Sequence, residues 1–204
     1  ANGEIRPTNR HRTISPSKRF IGVLAIVAVF PFLLVWWAMP PRGVSPVIIA
    51  EITDSSDAVW AECMLPTAVG SQLSAGRLKI DRGLVTIRFK SGAEVILESP
   101  AELQLETAMR GTLLAGIAVV EVPDSAHGFT IATPTAEAID HGTAFAVIVD
   151  ASRNVSSIEV LAGEVEVRHN HSDASRHIFE QQHLTATADT LVDLTVSPAD
   201  LESA

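Results

Sequence analysis

The sequence has no tyrosine, a single cysteine and few aromatic residues, and each shortage excludes a class of protein. Cys63 has no second cysteine to pair with inside the chain, so a hydrophobic core has to hold the fold instead of a disulfide framework. Aromatic residues make up 5% of the chain, and half of them lie in one apolar run. This scarcity argues against a carbohydrate-binding platform, which usually presents aromatic rings.

Basic residues are also scarce. The chain has 15 Lys+Arg against 24 Asp+Glu, a formal net charge of −9, and five of the basic residues precede residue 20. The region after residue 39 is therefore strongly acidic. Nucleic-acid binding requires a basic face, and so does electrostatic adhesion to anionic lipid headgroups. Neither is expected of this region.

The most prominent feature that the sequence does have is the uncharged run 20–39, FIGVLAIVAVFPFLLVWWAM. Twenty helical residues rise about 30 Å, which matches the hydrocarbon core of a bilayer. The run therefore predicts one transmembrane helix. Cytoplasmic flanks carry the excess of Lys and Arg, so the N-terminal arm should be cytoplasmic and the C-terminal part periplasmic, in an inner-membrane protein. The basic residues before the run are Arg6, Arg10, Arg12, Lys18 and Arg19.

A cleaved signal peptide is the alternative interpretation of the same run. The apolar part of a signal peptide spans about 7–15 residues and ends at small residues. This run is longer, and it ends in Trp-Trp-Ala-Met-Pro-Pro. We therefore expect a retained span. The chain begins at Ala1 without Met, so we also expect further residues upstream.

After the run, apolar and polar residues alternate, as in 84–89 and 164–168, with turn signals about every ten residues. Alternation of this kind is typical of half-buried strands and predicts an all-β domain. Several strands begin at a glycine, which suits either an antiparallel sandwich or a β-solenoid. The predicted segments are a basic cytoplasmic arm (1–19), a transmembrane helix (20–39), a Pro/Gly linker (40–46), a β domain (47–188) and a polar C-terminal tail (189–204).

Three short motifs occur in order within the β domain. They are F-x-I-x-T-P at 129–134, G-T-x-F at 142–145 and V-x-x-G-x-V-x-V at 160–167, and they follow the run 76–103. Together these segments resemble the FecR domain, in the form found in planctomycete-type bacteria. The resemblance covers about 47–187.

FecR-like proteins are single-pass inner-membrane regulators, and the resemblance implies that role here. A short cytoplasmic part controls an extracytoplasmic-function sigma factor, and the periplasmic part receives a signal, in the best-known systems from an outer-membrane siderophore receptor. The implied partners are a sigma factor inside and a periplasmic or outer-membrane protein outside. The sequence departs from the pattern because the cytoplasmic anti-sigma segment is either absent or lies upstream of Ala1. The alternative is a structural or glycan-binding envelope module, and an enzyme is the third hypothesis.

The sequence Asp140-His141-Gly142-Thr143 invites a catalytic interpretation, with Asp140 orienting His141. Adjacent strand residues point to opposite faces, and no nucleophile motif accompanies them, so we predict no catalytic residues. We expect Gly142 to supply a bulge or a close backbone approach, with Thr143 and Phe145 packed on one face. Thr133-Pro134 should form a turn at a strand end.

Four histidines, His169, His171, His177 and His183, resemble a metal cluster. They lie in a loop-like stretch without further ligands, so we expect solvated histidines, no metal site and no cofactor. The strand carboxylates are expected to form a solvated acidic face rather than an acid/base pair. They are Glu94, Glu98, Glu102, Glu106, Glu121, Glu159, Glu164 and Glu166.

Overall fold

The computed structural model describes residues 46–61 and 64–193, which form thirteen β-strands and one 3-10 helix, Asp124–Ala126. The predicted span 20–39, the arm before it and Cys63 lie outside the described residues. Within the described ranges, no helix has the length and apolarity needed to cross a membrane. The strands are β1 (Ile48–Trp60), β2 (Gln72–Ser74), β3 (Gly76–Phe89), β4 (Glu94–Thr107), β5 (Arg110–Glu121), β6 (Thr130–Ala132), β7 (Ala136–Asp140), β8 (Ala144–Asp150), β9 (Val155–Ala162), β10 (Glu164–His169), β11 (Ser175–Phe179), β12 (His183–Ala186) and β13 (Leu191–Asp193).

The alternation of residues explains why these segments are strands. In β10, Val165 and Val167 are buried, while Arg168 between Val167 and His169 is exposed. Side chains of a strand point alternately to its two faces, so a period-two pattern buries one face and exposes the other. The predicted all-β class is confirmed.

The thirteen strands form one sheet that forks at β5. Residues 110–112 of β5 pair with β6 in parallel, and residues 116–121 pair with β8 in antiparallel. One branch continues through β7, β10 and β11, and the other through β9, β12 and β13. All the other ladders of the described strands are antiparallel. Of the two predicted arrangements, the strands therefore form the antiparallel one, as a single forked sheet. A β-solenoid would need stacked parallel strands.

A single hydrophobic cluster includes buried side chains from both branches and from the β1–β5 part of the sheet. Phe89 of β3 and Phe129, just before β6, meet edge to face with ring centroids 4.8 Å apart. Edge-to-face pairs add to the stabilisation that burial alone provides. Because both branches contribute to the same cluster, the domain has one core.

The last strand lies beyond the predicted end of the β domain at residue 188. β13 pairs with β12, with Leu184 opposite Asp193 and Ala186 opposite Leu191. The segment assigned to the polar tail, 189–204, therefore begins with residues that belong to the sheet.

Candidate functional site

The F-x-I-x-T-P motif builds the turn between β6 and β7. Thr133 donates its amide to the carbonyl of Ala136 at 2.7 Å, and its Oγ1 accepts the Ala136 amide at 3.0 Å. Phe129 and Ile131 are fully buried. The turn predicted at Thr133-Pro134 is present, and the motif serves the fold.

This turn is also where the two branches of the sheet meet. Thr135 Oγ1 lies 2.7 Å from Ser156 Oγ of β9 and 3.2 Å from the carbonyl oxygen of Ala186 at the end of β12. Asn170 donates its side-chain amide to the carbonyl of Thr133 at 2.8 Å. Thr135 and Ser156 are fully buried. Their hydroxyls therefore satisfy buried polar groups and tie one branch to the other.

The G-T-x-F motif is held by the carboxylate of Asp140, which is fully buried. Its Oδ2 accepts the amide of Gly142 at 3.0 Å, and its Oδ1 accepts the hydroxyl of Thr143. Both oxygens are thus engaged in closing the β7–β8 turn, and neither has a hydrogen bond to His141. Thr143 and Phe145 are both buried, as expected from their spacing.

The charged strip is a row of five paired side chains on the outer face of β4, β5, β7 and β10. Arg110 Nε lies 2.9 Å from Glu106, and its Nη2 lies 2.6 Å from Glu137. Glu137 stands opposite Arg168 in the ladder of β7 and β10. Arg168 binds both carboxylate oxygens of Glu166 at 2.8 Å. The expected solvated acidic face is thus, here, a set of ion pairs that join β4 to β5, join β5 to β7 across β6, and lie within β10.

The charges of the strip are fixed by their partners. The hydrogen bonds from Arg168, assisted by Ser175, lower the pKa of Glu166 from 4.5 to about 2. The hydrogen bond to Glu137 raises the pKa of the Arg110 guanidinium. Glu166 and Arg110 therefore both keep their charges near neutral pH.

A shallow polar groove of about 500 Å³ follows the strip. Three members of the strip, Arg110, Glu137 and Arg168, line this groove. The lining consists of Arg110, Thr112, Ala132, Thr133, Glu137, Arg168, His169 and Asn170.

The histidine cluster adjoins the strip and consists of His127, His141 and His177. The ring centroids of His127 and His141 are 5.3 Å apart, and those of His141 and His177 are 5.7 Å apart. His177 Nδ1 lies 2.6 Å from Glu164, and His141 Nε2 lies 3.8 Å from Glu166. His141 Nε2 is shielded from solvent and has no hydrogen-bond partner.

The four histidines singled out in the sequence do not form one cluster, although the ring centroids of His169 and His171 lie 6.0 Å apart. His177 belongs to the cluster just described, and His183 begins β12. His169 is buried, with Nε2 3.0 Å from the carbonyl oxygen of Thr187 and Nδ1 2.9 Å from Ser172 Oγ, so the expectation of a solvated loop histidine is wrong for it. No three His, Cys, Asp or Glu residues within 46–61 and 64–193 are placed to hold a metal ion.

Comparison with known proteins gives a family match for part of the chain. Residues 76–166 match the model of the FecR protein family. Two crystal structures, each described as a putative anti-sigma factor from Parabacteroides distasonis, match part of this chain. The first is 16% identical in sequence, with a TM-score of 0.50, and the match covers 57% of this chain and 58% of that chain. The second is 14% identical, with a TM-score of 0.46, and the match covers 72% of this chain and 59% of that chain. The chain thus spans less than two thirds of either neighbour, and at these identities the likeness concerns the fold alone. A search of curated proteins found no match.

Proposed function

We propose, from the FecR domain that residues 76–166 contain, that the protein is a membrane-anchored FecR-type regulator. Its β domain senses or docks a signal in the periplasm. The signal is relayed across the inner membrane to an extracytoplasmic-function sigma factor. The family match is the observation that carries this proposal, and the anti-sigma factor named for the structural neighbours agrees with it.

The distribution of side chains supports docking rather than catalysis. Motif residues such as Phe129, Phe145 and Val165 are buried in the core. The Asp140 carboxylate is engaged by its own turn. At the surface, ion pairs hold the alternating charges of the charged strip in place, and three of its residues line the polar groove. A preorganised row of charges suits recognition of a protein partner of complementary charge.

The membrane part of the proposal depends on the sequence. The uncharged run 20–39 is long enough to span a bilayer, and the basic residues before it orient the N-terminus to the cytoplasm. A periplasm-dependent reporter fused to the C-terminal end should therefore be active. Activity restricted to a cytoplasm-dependent reporter would contradict this orientation.

Transcription from a sigma-dependent promoter controlled by the protein tests the regulatory role. Deleting 20–39 or the β domain should change the promoter response. Arg110→Ala and Arg168→Ala should weaken the response to the signal at an unchanged protein level, because they break the charged strip. Arg153→Ala is the matched control, since Arg153 pairs only with Asp150 at 3.5 Å on an exposed turn.

Two outcomes would contradict the proposal. The first is a promoter response that neither deletion changes, combined with binding of the protein to cell-wall glycan. This result would favour a structural or glycan-binding module. The other is hydrolytic turnover by the protein that disappears in His141→Ala, which would indicate an enzyme.

A further inference from the structure

We propose that an apolar patch on the outer face of β3, β4, β5 and β8 is a docking site for a cationic amphipathic segment of a partner protein. The patch uses the start of β4 and the end of β5, whereas the charged strip includes Glu106 and Arg110 at the opposite ends of these two strands. Because it names the chemistry of a partner, this site rests on the proposed docking role, to which it adds a second surface. The patch consists of Leu84, Ile96, Ile117, Val119, Ala146 and Ile148.

The pairing of the strands places these side chains next to one another. Ile96 of β4 stands opposite Val119 of β5, and Val119 stands opposite Ala146 of β8. One row along, Ile117 of β5 stands opposite Ile148 of β8. The residue that follows each of them along its strand is buried in the core, so the patch faces away from the core. Directly opposed side chains are about 5 Å apart and adjacent rows about 7 Å apart, so these side chains form one continuous surface.

The described part of the chain leaves the patch open to solvent. Leu84 and Ile148 are each 44% exposed, although both are large aliphatic residues. Leu84 stands opposite Glu98 and therefore lies diagonal to Ile96, which extends the patch onto β3. A groove of about 450 Å³ borders the patch, and its lining includes Ile117 and Ile148. The solvent face of an antiparallel sheet is usually polar, so a block of aliphatic residues there indicates an interaction surface.

The charges around the patch identify the kind of partner that fits it. No Lys or Arg stands in the two rows of opposed, described residues that contain the patch, and none of the carboxylates in these rows has an ion-pair partner among the described residues. Those carboxylates are Asp54, Glu98 and Glu159. In the row beside them, Arg88 is already bound to Glu94, and Glu121 is exposed without an ion pair in the described part of the chain. A partner that carries Lys or Arg beside its apolar side chains is therefore favoured.

The same charges disfavour other occupants. A second copy of the domain would bring like charges face to face, and an anionic lipid surface would also be repelled. Of the two terminal stretches outside the described ranges, 194–204 carries Asp200 and Glu202 and no Lys or Arg, so it has the wrong charge. The basic arm 1–19 is predicted on the other side of the membrane. A separate protein with a basic segment is thus the occupant that we infer.

The width of the patch sets the length of a suitable probe. Three strand spacings separate β3 from β8, about 14 Å, and five residues of an extended peptide span the same distance. The peptide Lys-Ser-Leu-Ser-Leu-Ser-Leu-Ser-Lys presents three Leu over this length on one face, with a Lys at each end. Two comparison peptides carry Glu in place of Lys, or Ser in place of Leu.

Fluorescence anisotropy of the labelled peptide, titrated with the full chain in phosphatidylcholine nanodiscs, tests the site. The Lys–Leu peptide should bind saturably, after subtraction of binding to empty nanodiscs, and neither comparison peptide should bind. Ile148→Asn should weaken binding about tenfold, because a bound Leu loses its apolar contact. Phe179→Asn is the matched control and should bind like the wild type, since Phe179 is 49% exposed but lies in β11.

The carboxylates give a second test that does not alter an apolar contact. Glu98→Gln should weaken binding about two- to fivefold at low salt, and the difference should disappear at 0.5 M salt because exposed charges are then screened. Glu180→Gln, at an exposed residue just after β11, is the matched control and should have no effect. This test remains valid even if Ile148→Asn lowers the stability of the domain.

Several results would overturn the site. They are no binding of the Lys–Leu peptide to the wild type, equal binding of the peptide that carries Glu, or a loss of affinity that Phe179→Asn shares with Ile148→Asn. Concentration-dependent dimers that Ile148→Asn abolishes would instead assign the patch to a second copy of the chain. The regulatory role is tested separately by the promoter deletions. If these change the promoter response while Ile148→Asn leaves peptide binding unchanged, this site fails and the proposed function stands.

Discussion

The carbonyl oxygen of Gly142 lies 2.5 Å from the point that a Cβ on Gly163 would occupy. The G-T-x-F turn and the glycine of the V-x-x-G-x-V-x-V motif therefore touch, backbone against backbone. Gly163 also has a φ of 86°, a conformation that side chains disfavour. The G-T-x-F and V-x-x-G-x-V-x-V motifs, about twenty residues apart in the sequence, thus form one contact. In this contact the β7–β8 turn packs against the connection between β9 and β10.

Gly163→Ala should destabilise the domain by about 3 kcal/mol or more, because it adds an overlap with backbone atoms to the cost of a positive φ. Gly142→Ala is the matched control. Its φ of 93° is similar, but no atom lies within 4 Å of the added Cβ. Its cost should be about 1 kcal/mol. Urea unfolding followed by circular dichroism measures both, and equal costs would show that the close contact is unimportant.

Asp140→Ala should destabilise the domain by about 2–4 kcal/mol, since it leaves the Gly142 amide and the Thr143 hydroxyl without their acceptor. Asp140→Asn keeps one acceptor oxygen and should cost less. The same unfolding measurement applies. A neutral Asp140→Ala with an altered promoter response would contradict this, since it would give Asp140 a role in signalling instead of in the turn.

Thr135→Val should cost about 1–3 kcal/mol, because it removes the hydroxyl that the Ser156 hydroxyl and the Ala186 carbonyl both contact in the buried junction. Thr185→Val is the control. Its hydroxyl makes a longer contact, 3.3 Å to Ser157, and is only partly buried. It should change the unfolding free energy by less than about 0.5 kcal/mol. Equal effects of the two substitutions would mean that the junction does not join the branches.

The strands were predictable because burial follows the alternation of side chains, which is written in the sequence. In β10, apolar Val165 and Val167 alternate with charged Glu166 and Arg168. This alternation predicts a strand with one buried face without any knowledge of the rest of the fold. The turn at Thr133-Pro134 was predictable for a similar reason, since proline removes a ladder donor locally. The motifs that carry the resemblance to the FecR domain are made of such local signals, and they lie in the core and its turns.

The fork and the histidine cluster were not predictable in this way. β5 pairs with β6 along one half and with β8 along the other, a choice that depends on the whole sheet. His127, His141 and His177 are far apart in the sequence, and only the register of β7, β10 and β11 brings them together. The burial of His169 was not predictable because the carbonyl that it contacts belongs to Thr187, 18 residues further along the chain and just after β12.

Glu166→Gln should lower the stability of the domain at pH 5, and the loss relative to wild type should vanish as the pH falls towards 2. The folded pKa of about 2 lies below the ordinary value of 4.5, so the ionised carboxylate stabilises the folded state fully above pH 4.5. That contribution disappears as the carboxylate takes up its proton between these two values. Glu159→Gln is the control: it removes an exposed carboxylate of β9 that has no ion pair in the described residues, and it should leave the urea midpoint at pH 5 close to that of the wild type. Urea midpoints between pH 5 and pH 2 provide the measurement, and a difference that stays constant over this range would show that the ion pair with Arg168 does not stabilise the sheet.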